Sequence, residues 1–542
     1  MTGAHADHEP TAHGNESAPR GGRWRRKRVL LSGAVVLALL AGVAVAWLSR
    51  ERIAGNVIAG QLETYGIPAT YTIERIGGRR QVLRDVVVGD PARPDLTVEQ
   101  AEIRIVYRLG FPRIGRIALV RPRLYGRLTG GRISFGTLDR AIYRDTGRPP
   151  GLPELDLAIH DGRALIRTPY GPVGAKVDGR GLVSDGFAGT LAVAAPSLNA
   201  AQCRVSDVSL FGRVTTLAGQ PRFVGPVRLA ALDCPGRQLA LGRTDAAVDL
   251  TSDAALASYT GRADIDAGAL RYADYRAAAA QLDLRGNWKD GLLDLRHDLT
   301  ARGVATPQLS ASRLALEGSL RAQGGFATLD LRSDMEGSGL RPGPGFQRML
   351  TGVARQGEGT LVAPLARQFT AALIRQAQGS AFTADLAVRR RDGGTTILVP
   401  RAELNGGGGA RLLSLSRVEA AFGTAAPRLA GNIATGGPGL PQLTGRMERT
   451  ATGGTVFRLV MQPYVAGNAS LAVPELSVVQ ANDGAIGFAG RVLASGPLPG
   501  GSARGLALPV SGRWAPDGSV ALWRRCVDIG FDRLEMAQLS LT

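Results

Sequence analysis

A chain of 542 residues is too long for one compact core, so it has to be several domains or one repetitive, extended body. With 73 glycines, 30 prolines, 44% hydrophobic residues and 5% aromatics, its composition suits short strands joined by tight turns and excludes a disordered chain. The net charge of +19 rests almost wholly on arginines scattered singly through strand-like stretches, with only Lys27, Lys176 and Lys289 beside them, so the clustered cations and aromatic platforms of a nucleic-acid binder are missing.

The first 28 residues read as a polar cytoplasmic tail without order, and His5, His8 and His13 within it form no metal site. Residues Val29 to Leu48 (VLLSGAVVLALLAGVAVAWL) carry no charge and are long enough to cross a hydrocarbon core of about 30 Å. Arg25, Arg26, Lys27 and Arg28 flank the run on one side and Trp47 closes it on the other, while Arg50, Glu51 and Arg52 nearly balance. The positive-inside rule then predicts a single-pass inner-membrane anchor with a cytoplasmic N-terminus and the bulk of the chain in the periplasm. The competing reading is a cleaved signal peptide, because Ala44-Val45-Ala46 has the form of a cleavage site, although the apolar run exceeds a usual signal core.

From residue 49 to 67 the spacing predicts an amphipathic helix, with Ile53, Val57, Ile58, Leu62 and Tyr65 on one face and a stop at Gly66 and Pro68. After that the hydrophobic period falls from 3.6 to 2. Ile103 and Ile105 alternate with charged neighbours, as do Leu155, Leu157 and Ile159. The tetrapeptide LDLR then recurs and puts Leu282 and Leu284, Leu293 and Leu295, and Leu329 and Leu331 on one strand face each. Turn residues such as Asp161-Gly162 and Asp290-Gly291 fill the gaps, so successive strands should form antiparallel hairpins or meanders. Without the Trp-Asp signature of a propeller, the pattern predicts one long sheet that keeps adding strands over 68–340 and again past 380, and at roughly 15 residues per strand the whole exported part gives on the order of 30 strands and about 150 Å.

Between 341 and 380 the period is helical again: Phe346, Met349, Leu350 and Val353 form one stripe, and Leu361, Leu365, Phe369 and Leu373 a second. This predicts a helical hairpin laid on the sheet, with Pro364 in the first turn of its second helix. Alternation resumes over 381–542 and ends on LEMAQLSLT without a turn or polar tail, which reads as truncated.

The chemistry of an enzyme is missing. Past the apolar run only His160 and His297 remain, and there is no HExxH, nucleophile elbow or phosphate-binding loop; Gly406 to Gly409 lacks the Lys-Ser/Thr that would follow. Asp156, Asp283, Asp294 and Asp330 alternate with leucines and read as a solvated outer face. Of Cys203, Cys234 and Cys526, the first two form a candidate disulfide in an oxidising compartment; isolated thiols are the alternative.

The order of these features resembles the AsmA-like proteins and, among them, the YdbH type of intermembrane phospholipid transport protein. RDVVVGD (84–90), LTVEQAEIRI (96–105) and IGRIALVRPRLYGRLTGGRISFGTLDRAI (114–142) follow the anchor as they do there. NGGGGARL (405–412), GLPQLTGRM (439–447), PYVAGNASLAVPEL (463–476), GLALPVSGRW (505–514) and CVDIGFDRLEMAQLSL (526–541) are similar to the core region of that type. The resemblance implies a taco-like, open apolar β-groove that bridges the inner and outer membranes so that phospholipids slide along it. It implies no cofactor and no catalytic residue, and the few histidines and cysteines offer no metal site. Ile103, Ile105, Leu155, Leu157, Ile159, Leu282, Leu284, Leu293, Leu295, Leu329 and Leu331 would line that groove, with phospholipids and an outer-membrane or periplasmic protein as partners. Two other readings stand beside it: a TamB-like assembly factor for outer-membrane proteins, offering strand edges to clients, and a component of small-solute (dicarboxylate) transport.

Overall fold

The computed structural model describes Gly66 and residues 68–541, apart from 78–79, 109–110, 144–150, 392, 424–427, 450–453, 482–483 and 537–538. The expected anchor, its flank of Arg25, Arg26, Lys27, Arg28 and Trp47, and the amphipathic helix lie outside the described residues. Among the described residues no helix is long and apolar enough to cross a membrane.

The described chain is mainly β, a single long sheet whose strands pair antiparallel in chain order. Many are longer than an average strand: Arg93–Arg108, Cys203–Leu217 and Leu309–Gln323 run 15 or 16 residues each. Elsewhere two short strands share one level, as Gln220–Leu229 and Ala231–Cys234 do against Cys203–Leu217. Each level therefore uses more chain than the sequence pattern indicates, and the levels are correspondingly fewer. One connection departs from the meander. Asp156–Thr168 pairs parallel with Phe111–Val120 and with Arg123–Thr129, which requires a crossover, and residues Arg132 to Ile142 make part of it.

Bends mark where the alternation changes phase. Asp85, Arg121 and Asp161 all have φ near +50° within the first five levels, where an extra residue shifts the alternation by one and keeps the apolar side chains on the same face. Asp161 is the best-anchored of these. Its backbone N–H donates to Asp178 Oδ1 at 2.7 Å, its carbonyl accepts from Arg123 at 2.6 Å, and its carboxylate pairs with Arg123 and Lys176. Further bulges fall between Ala384 and Ala387, Ser416 and Glu419, and Ala472 and Glu475.

The expected helical insert is two helices, Pro344–Gln356 and Val362–Ala377. Pro344 occupies the first helical position behind Gly343, where its missing N–H costs nothing, and Gly357 ends the helix. Cys203 and Cys234 are joined by a disulfide across adjacent strands, with Cα atoms 4.1 Å apart, and Cys526 is free and exposed.

Candidate functional site

Cross-strand register shows what the sheet has built. Ala69 lies opposite Val88, Val88 opposite Leu96, Leu96 opposite Leu124, Leu124 opposite Ala164, and Ala164 opposite Ala175. The row continues through Val193, Leu210, Val227, Ala246, Ile265 and Leu282. It runs on through Leu299, Leu316, Met335, Ala384, Ala402 and Leu415. Ile433, Gly445, Leu459, Leu476, Gly490 and Val510 complete it. One residue from each of twenty-four successive levels is in line, and none has a polar side chain. At about 4.8 Å per level the row is about 110 Å long.

Burial divides this row in two. Val88, Leu96 and Leu124 are 2 to 4% exposed, sealed in a core that also contains Ile103, Leu155, Leu157 and Ile159; Ile105 is sealed as well. Phe135 and Leu138, from the crossover, complete that core at 1% and 0% exposure. From Ala164 onward every member of the row except Gly445 is only half-buried. The same is true of Leu282, Leu284, Leu293, Leu295, Leu329 and Leu331, which share the face with the row. Five of the eleven leucines and isoleucines singled out in the sequence thus sit in a closed core, and six on a shielded but accessible apolar face.

This apolar face is continuous along the length of the sheet. A family model described as the intermembrane phospholipid transport protein YdbH matches residues 37–542, which takes in every level of the sheet. The chain belongs to the YdbH-like family. No curated protein matches it. The family is one of lipid transport proteins and not of enzymes.

The opposite face of this YdbH-like sheet is charged. Asp249 pairs with Arg222 at 2.7 Å, Asp294 with Arg321 at 2.9 Å, and Asp330 with Arg332 at 3.3 Å, while Asp156 pairs with Arg116 at 3.0 Å. Asp264, Asp283, Asp298, Glu317, Asp334 and Asp385 stand opposite one another on six successive levels. Crowding shows at Asp283, whose pKa is raised by its hydrogen bond with Asp264, by partial desolvation and by the neighbouring charges of Asp264 and Asp298. At the Asp161 bend the opposite holds: the hydrogen bonds from Arg123 and Lys176 pull its carboxyl down to about 2. Charge is therefore concentrated on the side away from the apolar row, while Arg390 stands opposite Leu329 near the end of its strand.

The helix Val362–Ala377 runs along the strand ends on one rim. Leu361 and Leu365 pack on Ala466, Ala469 and Ala494, the Leu361 N–H donates to the Pro497 carbonyl at 2.7 Å, and Gln368 donates to the Val465 carbonyl at 2.6 Å. These contacts join residues about a hundred apart, and they leave the central row uncovered.

Sequence reasoning missed most of the row, because its alanines and glycines carry no hydrophobic signal and register is not visible along a single strand. It also missed a polar pair on the apolar face. His297 Nε2 lies 2.9 Å from Ser333 Oγ, two levels away. The available signal was phase: His297 follows Leu293 and Leu295 at the same two-residue spacing.

Proposed function

We propose that the half-buried apolar face, from Ala164 to Val510, is the floor of an open groove that carries phospholipid acyl chains between the inner and outer membranes. The observation that carries the reading is the unbroken apolar row over twenty-four levels, half-buried through nearly all of its length. In a closed sandwich the second layer would seal such positions. Among the described residues the long face has one helical rim and no second layer, and a hydrocarbon chain supplies the missing contact. Moving an acyl chain into water costs about 0.8 kcal/mol per CH₂, so crossing an aqueous gap needs an apolar path along its whole length. A floor of Leu, Ile, Val and Ala offers such a path, along which an acyl chain slides from level to level.

In this proposal Val29 to Leu48 anchors the chain in the inner membrane with Arg25, Arg26, Lys27, Arg28 and Trp47 at its ends, and the sheet stands in the periplasm. Leu282, Leu284, Leu293, Leu295, Leu329 and Leu331 line the conducting part. Ile103, Ile105, Leu155, Leu157 and Ile159 stabilise its first levels from within the sealed core. A dicarboxylate finds no matching polar lining in the row, so the small-solute reading lacks support. The test is transfer of fluorescent phospholipid between vesicles by the full chain, with retained lipid identified by mass spectrometry after detergent removal. The reading expects bound phospholipid and accelerated transfer. A folded chain that retains no lipid and transfers none would overturn it.

A further inference from the structure

On the six levels from Thr244–Ser252 to Thr328–Ser338, three adjacent rows make up the middle of the inward face. One is Ala246, Ile265, Leu282, Leu299, Leu316 and Met335, and another is Leu250, Gly261, Gly286, Leu295, Leu320 and Leu331. The row between them reads Val248, Ala263, Leu284, His297, Gly318 and Ser333. His297 and Ser333 alone are polar there, and they are in contact at 2.9 Å across Gly318. Gly318 makes the contact feasible: it has no side chain to stand between the two, and a Cβ there would meet the Ser333 backbone at 2.7 Å. Ser333 is 4% exposed and His297 half-buried, so the imidazole is the accessible member.

The pair does not satisfy itself. If the hydroxyl donates to Nε2, the Nδ1–H is left over; if Nε2–H donates to the hydroxyl oxygen, the serine O–H is left over. Either tautomer leaves one donor inside an apolar surround, where a hydrocarbon occupant offers it nothing. We infer, on the groove reading above, that His297 and Ser333 form a binding station for an oxygen of a lipid's polar part, the phosphodiester or the ester carbonyl beside it. A sliding lipid would then pause at this level while its chains lie along the flanking leucine rows.

The experiment uses the full chain and two probes with the same pyrene-labelled chain, a phosphatidylethanolamine and an oxygen-free hydrocarbon. Their affinities are compared for the native protein and for His297→Phe/Ser333→Ala, with thermal unfolding as a control and Leu299→Ala as a packing variant. The double variant is expected to lose about tenfold in affinity for the phospholipid while binding the hydrocarbon unchanged. Leu299→Ala should weaken both probes together. Excess inorganic phosphate should displace neither, because the station needs the flanking chains to hold its ligand; displacement of the phospholipid by phosphate alone would make this a free-phosphate site and overturn the lipid assignment. Equal losses for both probes, or no loss for either, would show the pair to be structural and end the proposal. If neither probe binds the native chain, the groove reading itself fails.

Discussion

The first levels of the sheet and its middle levels carry the same alternating pattern yet end in different environments. Around Leu157 the inward side chains are sealed, because Phe135 and Leu138 fold back over them from the crossover. Thr137 ties that cover down by donating both its backbone N–H and its hydroxyl to Asp95 at 2.8 and 2.7 Å. Around Leu284 and Leu299 the inward side chains are half-buried, and among the described residues no such segment seals them. Period-2 alternation shows which face is apolar. Whether protein covers that face is decided by a short irregular segment elsewhere in the chain.

The largest expected effect separates the two regions by stability. Phe135→Ala empties a sealed site and should cost about 3–5 kcal/mol, whereas Leu299→Ala on the accessible face should cost about 1 kcal/mol, read from denaturant midpoints at unchanged slope. Equal losses would mean that the two environments do not differ as described.

The second effect separates them by function. Leu284→Asp should leave the far-UV spectrum and cooperative unfolding intact but cut vesicle-to-vesicle lipid transfer by at least tenfold, given a barrier of about 2.5–3.5 kcal/mol for a charge met in hydrocarbon. Leu157→Asp should instead unfold the protein. A folded Leu284→Asp variant that transfers at the native rate would refute the conducting role of that face.

A smaller effect is expected at the rim. Leu365→Ala removes a buried contact with Ala466, Ala469 and Ala494 and should cost about 2 kcal/mol, since the helix remains held through Leu361 and Gln368. Faster hydrogen exchange confined to residues 344–377 would confirm a local anchor, and uniform exchange along the sheet would argue for a global one.

The smallest effect is electrostatic. Asp161 has its pKa lowered from 3.8 to about 2 in the folded chain, so its contribution is fully present above pH 3.8 and is lost as pH falls toward about 2. Asp161→Asn should therefore flatten the fall in melting temperature over that window and have less effect on the slope at neutral pH. An unchanged acid limb would show that the bend does not depend on this carboxylate.

Much of the fold was legible in the sequence. The LDLR repeats put Leu282, Leu293 and Leu329 on one sheet face, as the register does, because strands on these levels are free of bulges and alternation and register agree. The helical insert was legible because its two stripes keep a period near four over enough turns. The environment of Ile103 and Leu157 was not legible, since the residues that seal them, Phe135 and Leu138, lie in the crossover and not in their own strands. Nor was the row itself: Ala164, Ala175 and Gly490 have no individual signal and acquire one only from their partners across the sheet. The extra residues at Asp85 and Asp161 also shift the phase, so no fixed period passes through them.

The most direct measurement places photo-crosslinking residues at Leu157, Leu284 and Leu299 of the full chain in cells and identifies the adducts. The account predicts phospholipid adducts at Leu284 and Leu299 and adducts to this chain alone at Leu157. Adducts to protein alone at all three positions, in a chain shown to be folded, would contradict it.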